Sequence, residues 1–149
     1  IELKLKRAVG GQTMSNSLKK TFTELVQALI DLHRDLLMLQ GKELESESGR
    51  KPSPYELLNA SLHNPTFAWL RLMSELIVNI DTLIDEMPNL SNKEANQVAN
   101  EVLSLIEKPS GSSKTEFWNR YSSYLSINPD IIMKHSRVKD LCGRLRPSM

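Results

Sequence analysis

From Leu18 to Leu39 the large apolar residues fall at Leu18, Phe22, Leu25, Leu29, Leu32, Leu36 and Leu39, steps of four and three in strict alternation. Only a helix brings residues so spaced onto one line, and a line of that kind is the seam by which a helix packs against its neighbours. A second stripe, Val26, Ile30, His33 and Leu37, runs beside the first and widens the apolar face. A face this wide touches more than one partner, which points to a bundle and not to a two-stranded coil. Gly41 is the expected end of the helix, although Lys42-Glu43-Leu44-Glu45 suits one further turn.

The rest of the chain carries its helix boundaries in its side chains. Residues 46–52 read as a polar loop, and Ser53-Pro54-Tyr55-Glu56 is a capping box with proline at the first helical position. A short helix is expected from there to about Leu62. At His63-Asn64-Pro65 the chain restarts: Asn64 caps, and a long helix follows to about Met87, where Pro88 stops it. Its apolar positions are Trp69, Leu70, Leu72, Met73, Leu76, Ile77, Ile80, Leu83, Ile84 and Met87, which cover more than half the circumference. This is expected to be the central, most buried helix.

Ser91-Asn92-Lys93-Glu94 is a second capping box, opening a helix with the face Ala95, Val98, Ala99, Val102, Leu105 and Ile106. Residues 108–112 read as a linker, and Ser113-Lys114-Thr115-Glu116 is a third box before Phe117, Trp118, Tyr121 and Leu125. Asn128-Pro129 repeats the asparagine–proline start ahead of Ile131, Ile132, His135, Val138 and Leu141, with Gly143 as the expected C-terminal cap. No period-two alternation occurs beyond the first residues, and no internal repeat emerges. The expected fold is all-α: a four-helix-like bundle with one or two short accessory helices.

A chain of 149 residues suits one domain with a real core. Ile1-Glu2-Leu3-Lys4-Leu5-Lys6-Arg7 alternates charge and apolarity, unlike a secretory signal, and Met14 is a more natural start. Residues 1–13 are therefore set aside as an upstream extension or expression remnant, leaving 14–149 as a single helical domain. The apolar run Leu76-Ile77-Val78-Asn79-Ile80 stops at Asp81, far short of the roughly 20 residues of a membrane helix. A lone cysteine, Cys142, excludes an internal disulfide framework and any multi-cysteine metal site. With no export signal, a reducing cytoplasm is the expected compartment.

Chemistry has few places to hide. His33, His63 and His135 fall on three different segments and could converge on one divalent metal, the one cofactor the sequence leaves open. None of the usual ligand pairs at helical spacing is present, however, and His33 fits a core-edge histidine equally well. Asp81 and Asp85, like Asp31 and Asp35, lie four apart, with Glu75 and Glu86 near the former pair. Carboxylates at that spacing could hold a cation, but they are also what a solvated helix face carries, and Arg34 suggests ordinary pairing for the second pair.

Asn79 follows Trp69, Leu72 and Leu76 on an apolar stripe, so its amide is either a register-fixing core group or a ligand contact. Arg71 lies within the first turns of the long helix, where it either binds an anion or pairs with Asp35, Glu56 or another carboxylate. There is no nucleophile elbow and no glycine-rich phosphate loop, which argues against an enzyme. Lys139, Arg144 and Arg146 near Cys142 would lower its pKa, but a free structural cysteine at a helix end needs no such role.

Nineteen basic residues against eighteen acidic ones exclude a chain-wide polyanion binder. The distribution is uneven: residues 41–107 hold five basic and eleven acidic side chains, residues 108–149 eight and three. The basic C-terminal third, with Lys134, Arg137, Lys139, Arg144 and Arg146, is the only hint of nucleic-acid binding, and few aromatics interleave with it. The simpler expectation is that it docks on the acidic middle, within the molecule or a dimer.

The stretch Leu62-His63-Asn64-Pro65-Thr66-Phe67-Ala68-Trp69-Leu70-Arg71, continuing Ser74-Glu75-Leu76-Ile77-Val78-Asn79-Ile80-Asp81, resembles a segment of small uncharacterised bacterial helical proteins. In those a His-x-Pro-x-Phe-Ala-Trp-Leu-Arg run leads into Ser-x-Leu-Ile-Val-x-Ile-Asp; Leu72 stands here where they often have proline. The resemblance covers about twenty residues, with looser similarity around Leu32-His33-Arg34, and implies a bacterial cytoplasmic helical protein without implying an activity. Two functions are thus expected. The first is a non-enzymatic protein-interaction or regulatory module that binds a protein partner or self-associates as a homodimer through excess apolar helix face. The alternative is a bundle that binds a small ligand or metal, with His33, His63, Trp69, Arg71 and Asn79 as ligand contacts and His33, His63 and His135 as metal ligands.

Overall fold

The four-three seam forms a helix longer than Gly41 suggested. In the computed structural model, which describes residues 9–86, 91–108 and 115–146, helix α1 spans Val9–Ser48. Residues 9–13 are thus helical, and what was expected of residues 1–8 lies outside the described residues. The helix passes through Gly41 because that glycine marks a close approach and not a stop. A Cβ at Gly41 would sit 2.9 Å from Leu57 Cδ1 on the helix that follows. The turn falls instead at Gly49, whose φ of 81° is left-handed and whose N–H donates to the Glu45 carbonyl at 2.8 Å.

Helix α2 (Pro54–His63) begins at the expected capping box: Ser53 Oγ accepts from the Glu56 N–H, and the Glu56 carboxylate accepts from the Ser53 N–H. Glu56 also receives both arms of the Arg50 guanidinium, which holds its carboxyl down at about 2. Asn64 caps as expected, but the chain first makes a 3-10 turn over Pro65–Phe67 before helix α3 (Ala68–Glu86). The second capping box opens helix α4 (Asn92–Ile106), every residue of whose expected face is buried. The stop at Met87-Pro88, the linker and the Ser113–Glu116 box lie wholly or partly outside the described residues. Helix α5 (Thr115–Leu125) follows, and then α6 (Pro129–Leu145), whose Asn128 cap accepts from the N–H groups of Asp130 and Ile131. Gly143 does not end α6. Nothing approaches it within 4 Å, and the helix runs on to the buried Leu145, which packs on the core before Arg146 caps it.

No strand occurs among the described residues, and the fold is all-α. Helix α1 is the spine, packing most extensively on α6 and α3, while α4 lies on α6; α2 and α5 are the short accessory helices. The fourth side, between α3 and α4, is the thinnest of the four sides. The expectation that α3 would be the most buried helix is therefore corrected. Phe22, Leu25, Leu29, Leu32 and Leu36 of α1 are fully buried, whereas α3 buries Trp69, Leu70, Met73, Ile80 and Ile84 and leaves Leu72 40% exposed. Leu76, Ile77 and Leu83 are only partly covered, because α4 does not close over that side of α3. No helix among the described residues is long and apolar enough to cross a membrane.

Ion pairs follow the uneven charge. Lys139 meets Glu107 at 3.3 Å and Arg120 meets Glu43 at 3.9 Å, joining the basic C-terminal third to the acidic middle. Lys134 pairs with Asp35 and Arg144 with Glu24 at 3.8 Å, so α6 also docks through charge on α1.

Candidate interaction groove

The thin α3–α4 contact leaves a groove. Helix α4 has a narrow apolar face with small residues, Ala95 and Ala99, fully buried at its centre, whereas the face of α3 is wide. Pressing the narrow face into the core uses up α4 and strands the outer half of α3's stripe. The upper section of the groove holds about 420 Å³ between Leu72, Leu76 and Asn79 of α3 and Asn100, Glu101 and Leu105 of α4. The lower section holds about 350 Å³ and runs on past Ile80 and Leu83 to Gln97 and Val98. Leu76, Asn79 and Glu101 line both sections, so the two form one trough. From Leu72 to Leu83 it extends about 16 Å along α3.

Its floor is leucine and isoleucine; its rim is acid and amide. Glu75 and Glu101 form no ion pair among the described residues, and the side-chain amides of Asn79, Gln97 and Asn100 make no hydrogen bond there. Glu94 is engaged by its own cap, accepting from Ser91 N at 2.8 Å and Ser91 Oγ at 2.9 Å. The lining contains no histidine, cysteine or lysine. A trough of this kind offers apolar contact, negative charge and open amides to a binding partner.

Of the expected site residues, the structure places only Asn79 here. It is exposed on the rim, not buried as a register-fixing core amide. Arg71 pairs with no carboxylate among the described residues. Its Nε donates to the Ser61 carbonyl at 3.3 Å and its Nη2 to the Leu62 carbonyl at 2.6 Å, so it caps the end of α2, while Asp35 and Glu56 are taken by Lys134 and Arg50. Trp69 lies in the core, its Nε1 donating to Gln40 Oε1 at 2.9 Å, its ring stacked with Tyr124 and 5.9 Å from the Arg120 guanidinium.

The three histidines go to separate surroundings. His33 sits half-buried on α1, and burial holds its pKa below the ordinary histidine value. His63 is exposed at the end of α2. His135 Nδ1 lies 2.6 Å from the Tyr121 hydroxyl; burial lowers its pKa, Lys139 lowers it further, and Glu107 opposes them. Among the described residues no three His, Cys, Asp or Glu side chains are grouped to hold a metal ion. The three histidines expected to share a metal are thus not brought together as one group of ligands among the described residues. Asp81 and Asp85 are exposed, and Asp31 pairs with Arg34 at 3.5 Å. Cys142 is fully buried, and burial, reinforced by Glu107 and opposed by Arg146, pushes its thiol up to about 12, the reverse of the lowering its basic neighbours suggested.

Sequence reasoning missed the polar knot around Trp69. Gln40 is fully buried and accepts from both Trp69 Nε1 and Arg120 Nη2, the latter at 2.6 Å, while its Nε2 donates to Glu43 at 3.2 Å. Tyr124 donates to the other Glu43 oxygen. In the sequence Gln40 stands just past Leu39, the last leucine of the seam, where nothing marks it as buried. No family model, no curated protein and no solved structure matches the chain.

Proposed function

We propose that this chain is a non-enzymatic protein-interaction module, acting in the cytoplasm, and that a helix of a partner protein docks in the α3–α4 groove. The observation that carries the reading is the uncovered half of α3: Leu72, Leu76 and Leu83 remain partly or largely exposed beside a trough about three helical turns long. Closing that trough with one further helix would complete the fourth side of the bundle and bury the stranded leucines, the same physics that holds the other three sides. A single, fully buried thiol fits a reducing compartment.

Photo-crosslinking in the cell tests this. A benzophenone amino acid at position 79, on the rim, is expected to yield one discrete adduct, whereas the same probe at position 96 on the exposed outer face of α4 is not. Leu76→Asp should abolish the adduct while leaving the helical circular dichroism intact. Absence of an adduct from position 79, or equal labelling from both positions, overturns the proposal.

A further inference from the structure

We infer that the occupant of the α3–α4 groove is a cationic amphipathic helix, a row of apolar side chains flanked by lysine or arginine, supplied by another protein. The inference rests on the groove being a docking site and adds what docks there. Its basis is charge complementarity. The rim carries Glu75 on one wall and Glu101 on the other, both without an ion-pair partner among the described residues; apart from the cap-bound Glu94, the rest of the lining is leucine, isoleucine, valine and neutral polar side chains. A helix seated with its apolar row on Leu72, Leu76 and Leu83 would present its flanking positions, three or four residues to either side, to those two carboxylates.

A second copy of this chain is the poorer occupant for two reasons. Two grooves facing each other across a two-fold axis would set Glu75 and Glu101 against their own equivalents, a like-charge arrangement that disfavours docking. Nor does the chain offer a free cationic helix among its described residues. Helix α6, the one helix in which basic side chains outnumber acidic ones, already engages Lys134, Lys139 and Arg144 with Asp35, Glu107 and Glu24, and its apolar row is in the core. Electrostatic recognition of this sort selects the partner more than it strengthens the grip, since the rim charges stay in water.

The test is a heteronuclear NMR titration of the whole chain with two synthetic amphipathic peptides of about 14 residues, one of leucine and lysine, the other of leucine and glutamate in the same pattern. The lysine peptide is expected to shift the amides of Leu76, Asn79 and Glu101 and to bind at least about tenfold more tightly than the glutamate peptide. The double variant Glu75→Gln/Glu101→Gln, whose changes lie at exposed positions, should weaken the lysine peptide about three- to tenfold without moving the spectrum elsewhere. Equal binding of both peptides at these residues would overturn the charge assignment while leaving a docking groove. Shifts confined to other surfaces, or none with either peptide, would overturn the groove itself.

Discussion

The indole N–H of Trp69 on α3 and the amide oxygen of Gln40 on α1 meet at 2.9 Å inside the bundle, and the same oxygen takes a second hydrogen bond from Arg120 on α5. One side-chain amide thus ties three helices together at one end of the core. Its remaining donor reaches Glu43, so the buried amide is satisfied on both ends. Replacing Gln40 with leucine fills the volume but leaves the indole N–H without its acceptor and the Arg120 guanidinium with only its longer contacts to Glu43 and the Thr66 carbonyl. The expected cost is about 2 kcal/mol of stability, read as a lower urea midpoint with an unchanged slope.

Gly41 and Gly143 are both helical glycines and should respond differently to the same substitution. At Gly143 nothing lies within 4 Å, so Gly143→Ala keeps only the gain in helix propensity and should stabilise by about 0.5–1 kcal/mol. At Gly41 an added methyl must displace Leu57 Cδ1, the end of a flexible side chain. Gly41→Ala is therefore expected near neutral, and Gly41→Val, which cannot be accommodated by that movement, should destabilise by about 1–3 kcal/mol. Thermal melts of the three variants check the ordering.

Arg71 holds the last carbonyls of α2. Arg71→Met keeps most of the apolar stem and removes both donors to Ser61 and Leu62. The amides of α2 are expected to exchange with solvent about tenfold faster while those of α4 and α6 do not change. A uniform rise across all helices would instead mean that the residue stabilises the whole bundle.

The histidines give the fold a pH dependence of known sign. Burial holds the pKa values of His33 and His135 below that of the unfolded chain. Below the ordinary histidine value of about 6.5 the unfolded chain therefore binds more protons than the native one. Their contribution is fully present above that pH and is lost as pH falls through it towards the lowered native values. At His135 the chemistry is specific: burial raises the pKa of the Tyr121 phenol, which keeps its proton and shares a hydrogen bond with Nδ1 of the neutral imidazole. Urea midpoints at about pH 7.5 and 5.5 should differ, and less so in a His135→Gln variant.

Cys142 is expected to be inert in the native protein, since only its thiolate reacts and burial pushes the thiol up to about 12. A disulfide exchange reagent should label it only at the rate of opening, and promptly in denaturant.

Much of the fold was legible because the helix starts are written locally. Ser53 with Glu56, Ser91 with Glu94, and Asn64 and Asn128 before proline each satisfy their own amide donors, and all four act as read. Gly41 and Gly143 misled because a glycine that permits close packing, or sits in open space, looks the same in sequence as one that ends a helix. The width of α3's apolar stripe was read correctly and its burial wrongly, because stripe width says how much a helix can bury and not whether a neighbour arrives to cover it. For the same reason Asn79 emerged on a groove rim and not in the core, and Glu101 could not be paired with Glu75 until α4 was placed opposite α3. The Gln40–Arg120 contact spans eighty residues of chain, a separation no local pattern encodes.

Helix α1 finds its most extensive partner in α6, with the Asp35–Lys134 pair joining residues ninety-nine apart. During synthesis the seam of α1 therefore leaves the ribosome long before the helix that covers it. A nascent chain that has reached α4 already carries Leu25, Leu29, Leu32 and Leu36 with one whole side of their packing still missing. The bundle is consequently a structure that closes late, and the interval before α6 emerges is when its leucines are open to chaperones or to one another.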